Sequence, residues 1–252
     1  MSPQLQFALL SCTLLGLRHG FDYDHLAAIT DITSIERGWR TSMRLGLLYA
    51  LGHALTVALL GGAVIFLHLS LPVGMDLIGE RLVGATLIVL AIYVVISLIR
   101  HKQGKHHGIH ISRSRIALLI SGAQHAGWLL RRIYNPNAPR PAPFNFKYDR
   151  SSVFIVGVIH GLGAETPSQL LLFLLAANLG GTSRGFLGLL CFVIGLLMMN
   201  TLMTALASGA FTVSIHYPHL QDIISSVVAA YSFVIGITFL LGASSRLPPL
   251  LH

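Results

Sequence analysis

The stretch Arg18-His19-Gly20-Phe21-Asp22-Tyr23-Asp24-His25 interrupts what otherwise reads as a membrane span. Residues 5–17 before it are almost wholly apolar, and Leu26 to Ile29 after it are apolar again. An ionisable side chain at mid-bilayer costs about 2.5–3.5 kcal/mol on insertion scales. Five of them share these eight residues: Arg18, His19, Asp22, Asp24 and His25. Packing does not call for such a cluster, whereas holding a cation does.

The rest of the chain agrees with a membrane setting. Of 252 residues, 54% are hydrophobic and only 10% charged, against roughly 25% charged in a soluble domain. The fold class expected is an all-α integral membrane protein. No Gly-rich Lys-Ser/Thr phosphate loop is present, which argues against transport driven by the chain's own ATP hydrolysis. Cys12 and Cys191 both lie in apolar runs and read as small buried hydrophobes, not as a disulfide framework. No Lys or Arg precedes Arg18, so the first apolar run lacks the positive flank of a cleaved signal peptide and is expected to be retained.

Spanning takes roughly 20 apolar residues, and six stretches qualify: 5–29, 43–67, 77–99, 151–178, 185–208 and 220–242. Residues 116–130 are apolar but short, which suits an interfacial or re-entrant helix. Thirteen of the 17 Lys and Arg residues fall in or beside 30–42 and in 100–150. The positive-inside rule makes that side cytoplasmic and puts both termini outside, in a multi-pass protein of the plasma (inner) membrane. Three segments follow: a first three-helix membrane repeat over 1–99, a cytoplasmic His-rich and basic loop with a Pro-rich linker over 100–150, and a second repeat over 151–252.

The division rests on an internal likeness. Gly16-Leu17-Arg18-His19-Gly20 is followed by Asp24, five residues after the His. Gly157-Val158-Ile159-His160-Gly161 is followed by Glu165, again five after the His. His53 aligns more loosely with Asn200. Three spans separate the copies, so the halves are inverted in the bilayer, a recurring transporter design.

On a regular helix with His19 at zero, Asp22 falls at about 300°, His25 at about 240° and Asp24 at about 140°. Two imidazoles and a carboxylate then share one face, a site for a borderline divalent cation such as Ni, Cu, Zn or Fe. Asp24 is left as an outer partner or a mate for Arg18, unless Gly20 unwinds the helix and brings Asp24 into the site. His53, flanked by Gly52 and Ala54, is a further candidate ligand. His160 and Glu165 in the fourth span, near Pro167, are pathway candidates. Asn200 reads as a ligand oxygen or as interhelical glue, glue being favoured. His101, His106, His107 and His110 form a loop tract suited to metal.

These residues resemble the signature of the nickel/cobalt transporter family. That pattern, Arg-His-Ala-x-Asp-Ala-Asp-His and then an aliphatic residue, is matched at Arg18, His19, Asp22, Asp24, His25 and Leu26, with Gly20 and Tyr23 in place of the alanines. The family's Gly-His pair is matched by Gly52 and His53. Its later acidic motifs look like Leu162 to Gln169 and Gly195 to Thr201, with Gln169 and Asn200 where the family has acids. The resemblance implies a secondary transporter, not an enzyme, with Ni2+ or Co2+ as the transported ion and no prosthetic group. It implies metal contacts at His19, Asp22, Asp24, His25, His53, His160 and Glu165. Expected partners are the divalent ion and the lipid bilayer, and no nucleic acid. Two other classes stay open on the residues alone: a membrane di-iron-type metalloenzyme, and a metal sensor that uses the His-rich loop without transport.

Overall fold

The computed structural model describes residues 2–35, 38–67, 74–104, 128, 150–163, 181–214, 216–248 and 250. Among these the chain is helical throughout, with no strand. The helices are α1 (Pro3–His19), α2 (Tyr23–Ile35), α3 (Trp39–Leu67), α4 (Met75–Gly104), α5 (Arg150–Gly163), α6 (Thr182–Ser214) and α7 (Pro218–Leu240). A 3-10 turn, Ser244–Arg246, follows α7. The chain forms two compact units. One comprises Met1–Leu98 with Arg150–His252 and holds the bundle. The other is Ile99–Asp149, of which the end of α4 and the buried Trp128 are described.

Among the described residues four helical segments are long and apolar enough to cross a membrane: Trp39–Leu67, Asp76–Ile99, Thr182–Ser214 and His219–Leu240. They match the spans expected at 43–67, 77–99, 185–208 and 220–242. Large apolar side chains such as Phe7, Leu59, Phe66, Leu206 and Val227 are exposed. A helix apolar on all sides, with its outer face uncovered by protein, is what lipid requires. The chain is an α-helical, multi-pass membrane protein. Hydroxyls inside the bundle close onto their own helices, as Thr33 to the Ile29 carbonyl at 2.7 Å and Thr204 to the Asn200 carbonyl at 2.7 Å. Back-bonding of this kind satisfies a polar group where no water is available.

The first and fourth expected spans differ from the sequence expectation. Residues 5–29 are not one helix. The chain leaves helical geometry after His19 and resumes it at Tyr23, and α2 continues to Ile35, beyond the expected boundary at 29. Two tighter bonds, Phe21 N–H to Arg18 and Asp22 N–H to His19, bridge the break. Gly20 sits there because a Cβ would press on Met199 and the Leu196 carbonyl of α6. In the fourth span, α5 ends at Gly163, and residues 164–180 lie outside the described residues. So do Glu165, Pro167 and Gln169, the segment 116–130 apart from Trp128, His106, His107, His110 and the prolines of the linker.

The two most extensive crossings are α1 with α6 and α3 with α5, and α3 also packs along α6. In the first, a Cβ on Gly16 would land on the Phe192 carbonyl, and one on Gly195 would land on the Thr13 carbonyl. In the second, Gly157 meets the Tyr49 carbonyl in the same way, and Gly52 the Phe154 carbonyl. Backbone lies directly against backbone, the approach that small residues permit in membranes. Thr56 adds a bond across the second crossing, donating to the Val158 carbonyl at 3.1 Å. Because backbone cannot yield as a flexible side chain can, Gly157→Val is expected to cost at least the about 1–3 kcal/mol of overpacking. Thermal unfolding in detergent measures this; an unchanged midpoint would show that the crossing is not tight in solution.

Candidate metal centre

The break in the first span positions the site. It turns α2 relative to α1, so that His19 at the end of one and His25 in the first turn of the other meet His53 of α3. His53 stands fourteen residues into α3, about 21 Å along its axis at about 1.5 Å per residue. All three imidazoles are buried. The Nε2 atoms of His19 and His25 each lie 3.3 Å from Nε2 of His53. One ring nitrogen from each of the three lies within 4.8 Å of the others. An ion at about 2.1 Å from two nitrogens 3.3 Å apart subtends an angle of about 104°, close to tetrahedral.

The backs of two rings are held by carboxylates. His19 Nδ1 lies 3.2 Å from Asp22 Oδ2, and His25 Nδ1 lies 3.0 Å from Asp24 Oδ1. A carboxylate can only accept, so these contacts place the ring protons on Nδ1 of His19 and His25. Their Nε2 lone pairs are thereby left facing inward. Nε2 of His53 joins them as a third lone pair when the His53 proton sits on Nδ1. Lone pairs directed at one point are the donor set of a cation, and carboxylates behind metal-binding imidazoles raise their basicity and fix their tautomer.

The equivalent positions of Asp22 and Asp24 depart from the regular-helix reading, which set Asp22 beside the imidazoles and Asp24 apart. That reading holds for one continuous helix; the break at 20–22 corresponds to the alternative in which the helix unwinds at Gly20 and Asp24 comes to the site. Asp22 retains 45% side-chain exposure, whereas Asp24 is buried. Arg18 is exposed at the end of α1, and the carboxylate of Asp24 is engaged by His25, not by Arg18. Aromatic rings wall the centre: Phe192 stacks on His19 with centroids 5.7 Å apart, and Tyr49 lies edge-on to His25 at 6.3 Å.

His160 is fully buried but makes a different set of contacts. Its Nδ1 pairs with the Tyr49 hydroxyl at 2.8 Å and its Nε2 with the Thr86 hydroxyl at 2.7 Å. Both nitrogens are therefore taken, and His160 ties α3, α4 and α5 together one ring away from the centre. Tyr49, which bridges His25 and His160, was not singled out from the sequence; its spacing of four before His53 was the available signal. Asp31 lies within α2, two residues beyond the span boundary expected at 29. Asn200 is buried with neither amide atom partnered among the described residues, so the interhelical glue expected of it is not formed there.

Comparison with known proteins bears on this geometry. No protein-family model matches the chain, and no solved structure does. Curated relatives do match. The urease accessory protein UreH of Bacillus sp. (strain TB-90) is 22% identical over 90% of this chain and 87% of its own length. The nickel transporter NixA of Staphylococcus aureus is 27% identical over 90% of this chain and 70% of its own. The cobalt transport protein NhlF of Rhodococcus rhodochrous is 29% identical over 67% of this chain, which spans about half, 49%, of that relative.

Proposed function

We propose that this divergent member of the nickel/cobalt transporter family carries a divalent first-row cation, Ni2+ or Co2+, across the membrane through the centre at His19, His25 and His53. The convergence of three Nε2 atoms in a buried pocket, two of them on rings backed by carboxylates, carries the reading. Imidazole nitrogens suit Ni and Co better than the hard cations Mg and Ca. The three rings supply the ligands, Asp24 and Asp22 orient and polarise them, and His160 supports the wall through Tyr49. Glu165 completes the set of polar groups assigned to the route. The ion is substrate, not a prosthetic group, and the protein is a transporter, not an enzyme.

The two glycine crossings support an inverted-repeat architecture of two three-helix halves, 1–99 and 151–252, joined by residues 100–150. Gly16 and Gly195 mark one crossing, Gly157 and Gly52 the other, each meeting backbone of its partner helix. In this register Gly52 corresponds to Gly195, so the counterpart of His53 is Leu196, one turn before Asn200. The second half thus repeats the helices without repeating the third imidazole. The basic residues of 30–44 and 100–150 support a cytoplasmic location for that side, with both termini outside.

The test is metal accumulation in cells with and without the protein, across Ni, Co, Fe, Mn and Zn. A change of several-fold confined to Ni and Co is expected. Equal accumulation of every metal in the two cell lines would reject the reading.

A further inference from the structure

The mechanism above leaves one buried acid unused. Asp31 is on α2, six residues beyond His25, about 9 Å further toward the turn into α3 at about 1.5 Å per residue. It is fully buried, and no well-formed hydrogen bond reaches either carboxylate oxygen among the described residues. It forms no ion pair there either; the carboxylates of Asp22 and Asp24 are the ones engaged, by His19 and His25. A carboxyl in a bilayer-spanning bundle that has a neighbouring hydroxyl but no ion pair among the described residues has no packing rationale, since an apolar residue of similar size is cheaper to bury. The polar side chain beside it is Ser232 of α7, whose hydroxyl lies 3.5 Å from the Ala27 carbonyl one turn earlier and is within reach of the Asp31 carboxyl. Two more buried groups without partners among the described residues, the Asn200 amide and the Ser208 hydroxyl, lie on α6, which packs against α2. They are eight residues apart on one face of that helix.

We propose that Asp31, with Ser232 beside it, is a second, weaker cation station between the histidine centre and the α2–α3 end of the bundle. Its donors are oxygens, which hold Ni2+ and Co2+ less tightly than three imidazoles do. A station of this kind suits passage: a conducted ion must be bound strongly enough to enter and weakly enough to leave. The tight centre selects the cation, and Asp31 receives it on the way to or from one face. The inference rests on the transport reading above.

The test uses the full chain, purified in detergent and reconstituted in vesicles. Co2+ binding is followed by equilibrium dialysis and visible absorption, and Co2+ flux is measured in the vesicles. The wild type is expected to bind two ions, one tightly and one weakly. Asp31→Asn should keep the tight ion, lose the weak one and slow flux by about tenfold or more. A single binding event in the wild type, or Asp31→Asn with wild-type flux or both ions bound, overturns the second station. Flux lost with both ions still bound also overturns it, because the carboxylate would then act in another way. If Asp31→Asn does not fold, Ser232→Ala decides. A several-fold weakening of the second ion supports the station, and an unchanged second ion overturns it. The tight ion serves as the separate control: if His25→Ala retains it, the histidine centre fails, whatever Asp31 does.

Discussion

His25→Ala is expected to abolish nickel and cobalt transport while the protein still reaches the membrane. The ring contributes one of three converging Nε2 atoms, 3.3 Å from that of His53, and alanine leaves two nitrogens where three are needed. A neutral two-imidazole remnant in a buried pocket binds a divalent cation poorly. The loss in affinity should exceed the about 10–100-fold typical when only an outer partner of a metal-binding residue is removed. The variant also strands the buried carboxylate of Asp24, whose partner is His25 Nδ1 at 3.0 Å. Protein level in the membrane must therefore be measured in the same cells as metal accumulation. Transport retained at a wild-type rate would take His25 out of the site.

Asp24→Asn isolates the electrostatic part of that arrangement. Asparagine still offers an oxygen to the Nδ1–H of His25, so ring orientation is kept, but the negative charge that raises the basicity of Nε2 is gone. Nickel affinity should fall by about 10–100-fold, the usual cost of losing such a partner. The equivalent change at Asp22 should cost less, because that carboxylate is 45% exposed and water screens a charge it reaches. Isothermal titration of Ni2+ against both purified variants measures the difference. Wild-type affinity in Asp24→Asn would mean that the carboxylate merely fills space.

Several features are legible in the sequence because they follow from composition and local spacing. A chain with 54% hydrophobic and 10% charged residues has to place helices in lipid, since only internal hydrogen bonding satisfies the backbone there. The spans at 43–67, 77–99, 185–208 and 220–242 follow from length alone. The octapeptide from Arg18 to His25 stood out because its charges are expensive where they sit. Other features were not legible for an equally physical reason. The sequence leaves two readings of the faces around His19, a regular helix and one unwound at Gly20, and the structure has the break. The break depends on how closely α6 approaches, which is a tertiary contact. Asp31 falls beyond the expected end of the first span at 29, because a polar residue at the end of an apolar run resembles a boundary. Whether α2 continued to Ile35 depended on what packed against it.

The sequence by itself therefore determined the membrane class, the helical content of the four long spans, the identity of the ionisable residues and their crowding near residue 20. Each is fixed by the chemistry of neighbouring residues. The tertiary structure alone decided that His19, His25 and His53 turn the same nitrogen to a common point, that Asp22 and Asp24 share one role behind two rings, and that His160 is held by Tyr49 and Thr86. Those outcomes depend on helices distant in sequence meeting backbone to backbone at Gly16, Gly52, Gly157 and Gly195. The distance of that approach, not the composition of either helix, sets which side chains can touch.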